Sequence, residues 1–220
     1  MISFHGSANT LGLFFFSSMS ASMSHEIRNA VAIVNEQAGL LEDLTELAEQ
    51  GRPLNLERLR TLSADIRNQV QRTDEIAGRL NRFAHSARQP VIATDTTEIF
   101  AFTAALADRL ATMNCVTITV GSGTAVPLQV RPFMLENLLW ICLKCMFSLS
   151  SGDHTVEMSA LDADCDVVLQ LQFDQGVPVG EIGEQAAQEG QPLLVALRAV
   201  MNSNVECNLI TLRMPKQFEE

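Results

Sequence analysis

Positive charge is scarce in this chain. Fifteen lysines and arginines face 26 aspartates and glutamates among 220 residues, a formal net charge of -11. A nucleic-acid partner needs clustered Lys and Arg, so this balance argues against one. Cysteine is present in a number and spacing that exclude a disulfide scaffold: five residues, scattered at 115, 142, 145, 165 and 207. That usage points to a reducing compartment and a cytoplasmic location. Met1–Thr10 has no Lys or Arg, so the apolar run Leu11–Phe16, "LGLFFF", lacks the basic flank of a secretory signal. The run is far too short to span a bilayer, no other stretch resembles a span, and it reads as an apolar lead-in to the first helix. Gly-x-Ser-x-Gly, P-loop and His-Glu-x-x-His motifs are all missing. Cys142 and Cys145 form a CxxC with no second pair, so they read as core thiols and no metal site is expected. His85 and His154 read as ordinary, partly exposed histidines.

Hydrophobic residues make up 47% of the chain, which excludes a disordered tail and leaves enough for one large domain or two small ones. From Ile27 apolar residues recur near every 3.5 positions: Val31, Val34, Ala38, Leu41, Leu44 and Ala48. This predicts a helix with a narrow seam. Gly51 and Pro53 interrupt it, and Asn55 can cap a second helix. The second seam runs Leu59, Leu62, Ile66, Val70, Thr73, Ile76, Leu80 and Phe83. Two long helices with a short turn form an antiparallel hairpin. One hairpin cannot bury seams of this length, so pairing with a second copy into a four-helix bundle is expected, with a hairpin packed on its own chain as the alternative.

At Pro90 the texture changes, which divides the chain into a helical hairpin domain, 1–89, and an α/β domain, 90–220. Pro90–Asp95 reads as a short strand, Thr96–Asn114 as a helix and Val116–Gly121 as a strand. Arg131–Leu149 reads as a long apolar helix, followed by two strands, "HTVEMSALD" and "DVVLQLQFD", joined by an Asp-rich turn. Gly176–Gly190 reads as a loop, Pro192–Met201 as a helix, and "VECNLITLRMP" as the last strand. The fold class is α+β, one mixed sheet covered by about three helices, after the hairpin.

One stretch carries chemistry. Ser22–Val31, "SMSHEIRNAV", places a histidine, a glutamate, an arginine and an asparagine on the first helix. With Ala21 it resembles the phosphoacceptor box of bacterial sensor histidine kinases, nearly without a break from Ala21 to Asn29. The order of elements in Pro90–Pro215 resembles that family's ATP-binding domain. The resemblance implies that His25 is the phosphoacceptor, a neutral imidazole able to act as nucleophile. It implies that Glu26 orients the ring or takes its proton. Asn29 would help position the water that removes phosphate from a partner regulator, and Arg28 would contact a phosphate or a partner carboxylate. Ala30 stands where the family usually has proline, which should leave the helix straighter.

The nucleotide motifs depart from the family. Where a stretch resembling "LWNLLKNA" should hold magnesium through its asparagines, this chain has "LWICLKCM", Leu139–Met146. Ile141 and Cys145 take the two asparagine positions, and neither a hydrocarbon nor a thiol replaces a hard oxygen ligand. Asn137 lies nearby but out of register. The Asp-x-Gly-x-Gly box is "DQGVPVG": Asp174 would read the adenine and Gly176 remains, but Pro178 replaces the second glycine. The final glycine box becomes "GQPLLVAL", in which only Gly190 survives at the place where a helix N-terminus should approach the phosphates. The lid is reduced to the acidic Glu181–Glu189. Cys145, Asp174, Gly176 and Gly190 are thus expected to mark a vestigial nucleotide site without useful Mg-ATP binding.

The resemblance and its gaps imply a histidine phosphotransfer protein in two-component signalling, exchanging phosphate between His25 and response-regulator receiver domains that supply the magnesium. The alternatives are a functional sensor kinase core, or a phosphatase or docking module for a regulator.

Overall fold

The chain's structure, a computed structural model, describes residues 7–121 and 125–217. It divides into two units, a helical one from Ser17 to Ala84 and a second formed by the residues from His85 onward together with the N-terminal end through Phe16.

Helix α1 runs unbroken from Ala8 to Glu49 and α2 from Leu56 to Ser86. Between them Gly51 takes a φ of +85°, a left-handed conformation that only glycine adopts cheaply, and Arg52 N donates to Leu47 O at 3.1 Å to close the end of α1. Asn55 caps α2 as expected: its Oδ1 accepts from Glu57 N and Arg58 N at 3.0 and 3.1 Å. Within the helical unit Met19, Met23, Ala30, Leu62, Ile76 and Phe83 are buried. The outer part of the seam is not: Val31 is 44% exposed, Leu41 39% and Val70 48%.

The apolar run Leu11–Phe16 is not a lead-in but lies inside α1, which begins at Ala8. Its residues go with the second unit, where the Phe15 ring sits 5.4 Å from that of Phe133 and 6.4 Å from Trp140. Gly12 permits this approach, since a Cβ there would stand 3.1 Å from Phe133 Cε1. The helical unit is therefore narrower than the span 1–89.

In the second unit β1 (Ile92–Asp95) pairs antiparallel with β3 (Pro127–Val130) in a small sheet of its own. Asp95 then caps α3 (Thr96–Met113), accepting from Glu98 N at 2.9 Å. The main sheet has five strands in the order β2 (Val116–Val120), β4 (His154–Ala163), β5 (Asp166–Phe173), β7 (Leu209–Pro215), β6 (Val200–Asn204). Only the β2–β4 pair is parallel. Burial alternates along the central strands: Val156, Met158 and Ala160 on β4, Val167, Leu169, Leu171 and Phe173 on β5, and Ile210, Leu212 and Met214 on β7. This period of two means that one face is covered and the other open. Helix α3 packs on β2 and β4, α5 (Val179–Ala196) on β6 and β7, and α4 (Pro132–Leu149) lies between α3 and α5. The α+β layering expected from the sequence is thus present, with the β1–β3 pair as a second, separate sheet.

Helix α4 is apolar all round, the pattern of a core helix. Among the described residues it alone is long and apolar enough to cross a membrane, and 67% of it is buried.

Two expectations fail in the last third of the chain. The predicted loop Gly176–Gly190 and helix Pro192–Met201 are replaced by α5, which begins at Val179 and carries Pro192 inside it. A seam of Val179, Ile182, Gly183, Ala186, Gly190 and Leu193 is buried at helical spacing, and it continues straight through the proline. The predicted strand Val205–Pro215 starts later, at Leu209, as the second arm of a hairpin. β6 ends at Asn204, a turn follows in which Cys207 N donates to Asn204 Oδ1 at 3.1 Å and Asn208 has a φ of +50°, and β7 begins at Leu209.

Candidate functional site

His25, Arg28 and Asn29 are all exposed on α1, while Met23 and Ala30 on the opposite side are buried. Spacings of three and four residues bring the exposed three onto one stripe. Among the described residues His25 engages in no hydrogen bond or ion pair, and the residue is exposed. Ala30 permits an unbroken helix through this segment; the ring of a proline would clash with the carbonyl one turn earlier.

Glu26 stands apart from the stripe, about 100° round the helix from His25. Its side chain is only 11% exposed, and its Oε2 lies 3.6 Å from a guanidinium nitrogen of Arg79 on α2. Sequence reasoning did not single out Arg79. The available signal was that a half-inward carboxylate on one arm of a hairpin needs a cation on the other.

The residues expected to mark a nucleotide site lie in the second unit. Ile141 and Cys145 are both buried in α4. Helix α5 lies against this part of α4: a Cβ on Gly190 would meet Leu138 Cδ1 at 2.8 Å and Ile141 Cδ1 at 3.9 Å. Gly190 therefore does not introduce a helix N-terminus, as its motif position suggested, but sits well inside α5, where a side chain would have to displace the buried Leu138 side chain. Lys144 Nζ donates to Glu189 Oε2 at 2.9 Å, and Gln185 Nε2 donates to Glu189 Oε1 at 2.9 Å. Partial burial opposes ionisation of Glu189, but the bonds from Gln185 and Lys144 and the lysine charge outweigh it and hold the carboxyl below its ordinary value. Burial, with the Glu189 charge nearby, pushes the Cys145 thiol up to about 12. It stays protonated at neutral pH and is a poor metal ligand.

Asp174 follows the last residue of β5. Its Oδ2 accepts from Thr155 N at 2.9 Å and its Oδ1 lies 3.1 Å from His154 Nδ1. The carboxylate thus fastens the start of β4, and His154 is tied to it rather than free. Gly176 has a φ of +92°, which a turn between β5 and α5 requires. The structure brings His25, Arg28 and Asn29 together on α1. The four vestigial-site residues are distributed between the α4–α5 contact, at Cys145 and Gly190, and the turn leaving β5, at Asp174 and Gly176.

No family model matches the chain, and no curated protein sequence matches it. Among solved structures it is similar to the histidine kinase AdeS of Acinetobacter baumannii, at 12% identity over 87% of this chain and 98% of that one, with a TM-score of 0.48. It is similar to the histidine kinase ThkA, solved in complex with the response regulator protein TrrA, at 11% identity over 93% and 63% of the two chains, with a TM-score of 0.46. A protein described as a bacterial phosphotransferase is similar at 14% identity over 97% of this chain and 99% of that one, with a TM-score of 0.46.

Proposed function

We propose that this chain is a cytoplasmic histidine phosphotransfer protein of two-component signalling, which exchanges a phosphoryl group between His25 and the aspartate of a response-regulator receiver domain. The observation that carries the reading is the contrast between its two candidate centres. His25 is exposed, unengaged and flanked by Arg28 and Asn29 on one stripe, whereas Ile141 and Cys145 are buried at the α4–α5 contact without an oxygen between them to hold magnesium.

In the transfer step a ring nitrogen of His25 uses its lone pair to form an N–P bond. The P–O bond to the receiver's aspartate breaks, and its electron pair leaves on the aspartate carboxylate. The receiver supplies the donor and the magnesium that steadies its phosphoryl oxygens, so no nucleotide is required on this chain. The proton on the other ring nitrogen passes to Glu26 or to water. Arg28 is suited to the anionic group on the incoming partner.

We further propose that the protein acts as a homodimer through a four-helix bundle. The exposure of Val31, Leu41 and Val70 along the predicted seam supports this, since a single hairpin leaves them in water.

The test is incubation with a phosphorylated receiver domain, following label, alongside a reaction with ATP and magnesium alone. Acid-labile phosphate from the receiver and none from ATP is the expected result. Label on His25 from ATP alone restores the sensor-kinase reading. Loss of phosphate from the receiver with none on His25 makes the protein a phosphatase acting through Glu26 and Asn29. Binding with neither makes it a docking module.

A further inference from the structure

We infer that Arg79 is a positioning residue of the phosphoacceptor site, acting through Glu26; the inference rests on the phosphotransfer reading above. Helix α1 carries six acidic residues, Glu26, Glu36, Glu42, Asp43, Glu46 and Glu49, and Glu26 alone among them is not exposed. It is also the one next to His25. A carboxylate withdrawn from water needs a compensating charge. The guanidinium of Arg79, 27% exposed, provides it from α2 at 3.6 Å.

Two consequences follow for the transfer step. Arg79 holds the Glu26 carboxylate on the inner flank of α1, fixing where a proton leaving the His25 ring can go. It also offsets a negative charge that would otherwise repel the phosphoryl anion arriving at the neighbouring residue. Without Arg79 the carboxylate turns outward to water, and both effects are lost together.

The experiment is a double-mutant cycle on the maximal rate of transfer from a phosphorylated receiver domain, using Arg79→Gln, Glu26→Gln and the pair. Contacting charges couple strongly, so each single variant is expected to slow transfer about tenfold, and the double variant is expected to be no slower than the worse single one. The receiver concentration for half-maximal rate should not move, because the exposed stripe that meets the partner is intact. Arg79→Lys, which keeps the charge, should recover most of the rate. Additive losses, a wild-type rate in Arg79→Gln, or an effect confined to the receiver concentration overturns the inference and leaves Arg79 a structural residue. Should Arg79→Gln not fold, Arg79→Lys is read in its place: a rate within about threefold of wild type supports positioning, and a loss of tenfold or more overturns it.

Phosphoramidate, a small phosphoryl donor, separates this inference from the reading beneath it. If no receiver labels the protein but phosphoramidate labels His25, the receiver reading fails while the same cycle still judges Arg79. If neither donor labels His25, the inference falls with the site.

Discussion

His25 and Glu26 are neighbours in the chain, yet the turn of the helix gives them opposite surroundings. One is exposed and unengaged; the other is nearly buried and ion-paired. A single helical step thus separates an imidazole open to solvent from a carboxylate turned toward the other helix. His25→Gln keeps a polar, exposed side chain at the same place and breaks no hydrogen bond or ion pair among the described residues. It is expected to abolish acid-labile label from a phosphorylated receiver while leaving the circular dichroism and the thermal midpoint unchanged. Label surviving in this variant moves the acceptor to another residue. Of the candidate site, the placing of His25, Arg28 and Asn29 on one helical stripe follows from the sequence because helical spacing is a local property. The role of Arg79 does not, since its partner lies 53 positions away and only the register of the hairpin brings them together.

At the scale of elements, local grammar was readable wherever one signal acted alone. Gly51 marked the end of α1 and Asn55 the start of α2. Helix α5 was obscured by a conflict of signals. Pro192 removes a helical N–H and reads as a start or a stop, but the buried seam on both sides of it outweighs a local cost of about 3 kcal/mol. The same helix makes the Lys144–Glu189 bond with α4, and this contact has a testable pH dependence. The Glu189 carboxyl is held below its ordinary value of 4.5 in the folded chain. Its contribution to stability is therefore full above that value and is lost as pH falls through the lower, folded value. Glu189→Gln should destabilise the protein at pH 7, and the gap between variant and wild type in urea midpoint should narrow below about pH 4.5. A gap that stays constant down to pH 3 would mean that Glu189 acts by packing rather than by charge.

At the scale of the whole molecule, the division into a helical unit and a sheet unit showed in the sequence because the period of the apolar residues changes near Pro90. The assignment of Ala8–Phe16 to the sheet unit did not show, because "LGLFFF" has one apolar texture whether it leads into a helix, lies within one or packs on a distant domain. The same ambiguity of apolar surface bears on the number of chains. Val31 and Leu41 on α1 and Val70 on α2 occupy seam positions and remain 39–48% exposed in the single chain. Burying each against a second copy contributes on the order of 1–2 kcal/mol per side chain, repeated on both chains. Leu41→Glu combined with Val70→Glu places two charges where the partner's seam should be, at positions that a lone hairpin leaves in water. The variant should therefore remain helical and become monomeric, with light scattering giving half the wild-type mass. Glu26 and Arg79 stand in one chain, so the monomer keeps that ion pair and should still take phosphate on His25 from phosphoramidate. A wild-type protein that scatters as a monomer at high micromolar concentration would remove the bundle and leave the hairpin to pack on its own chain.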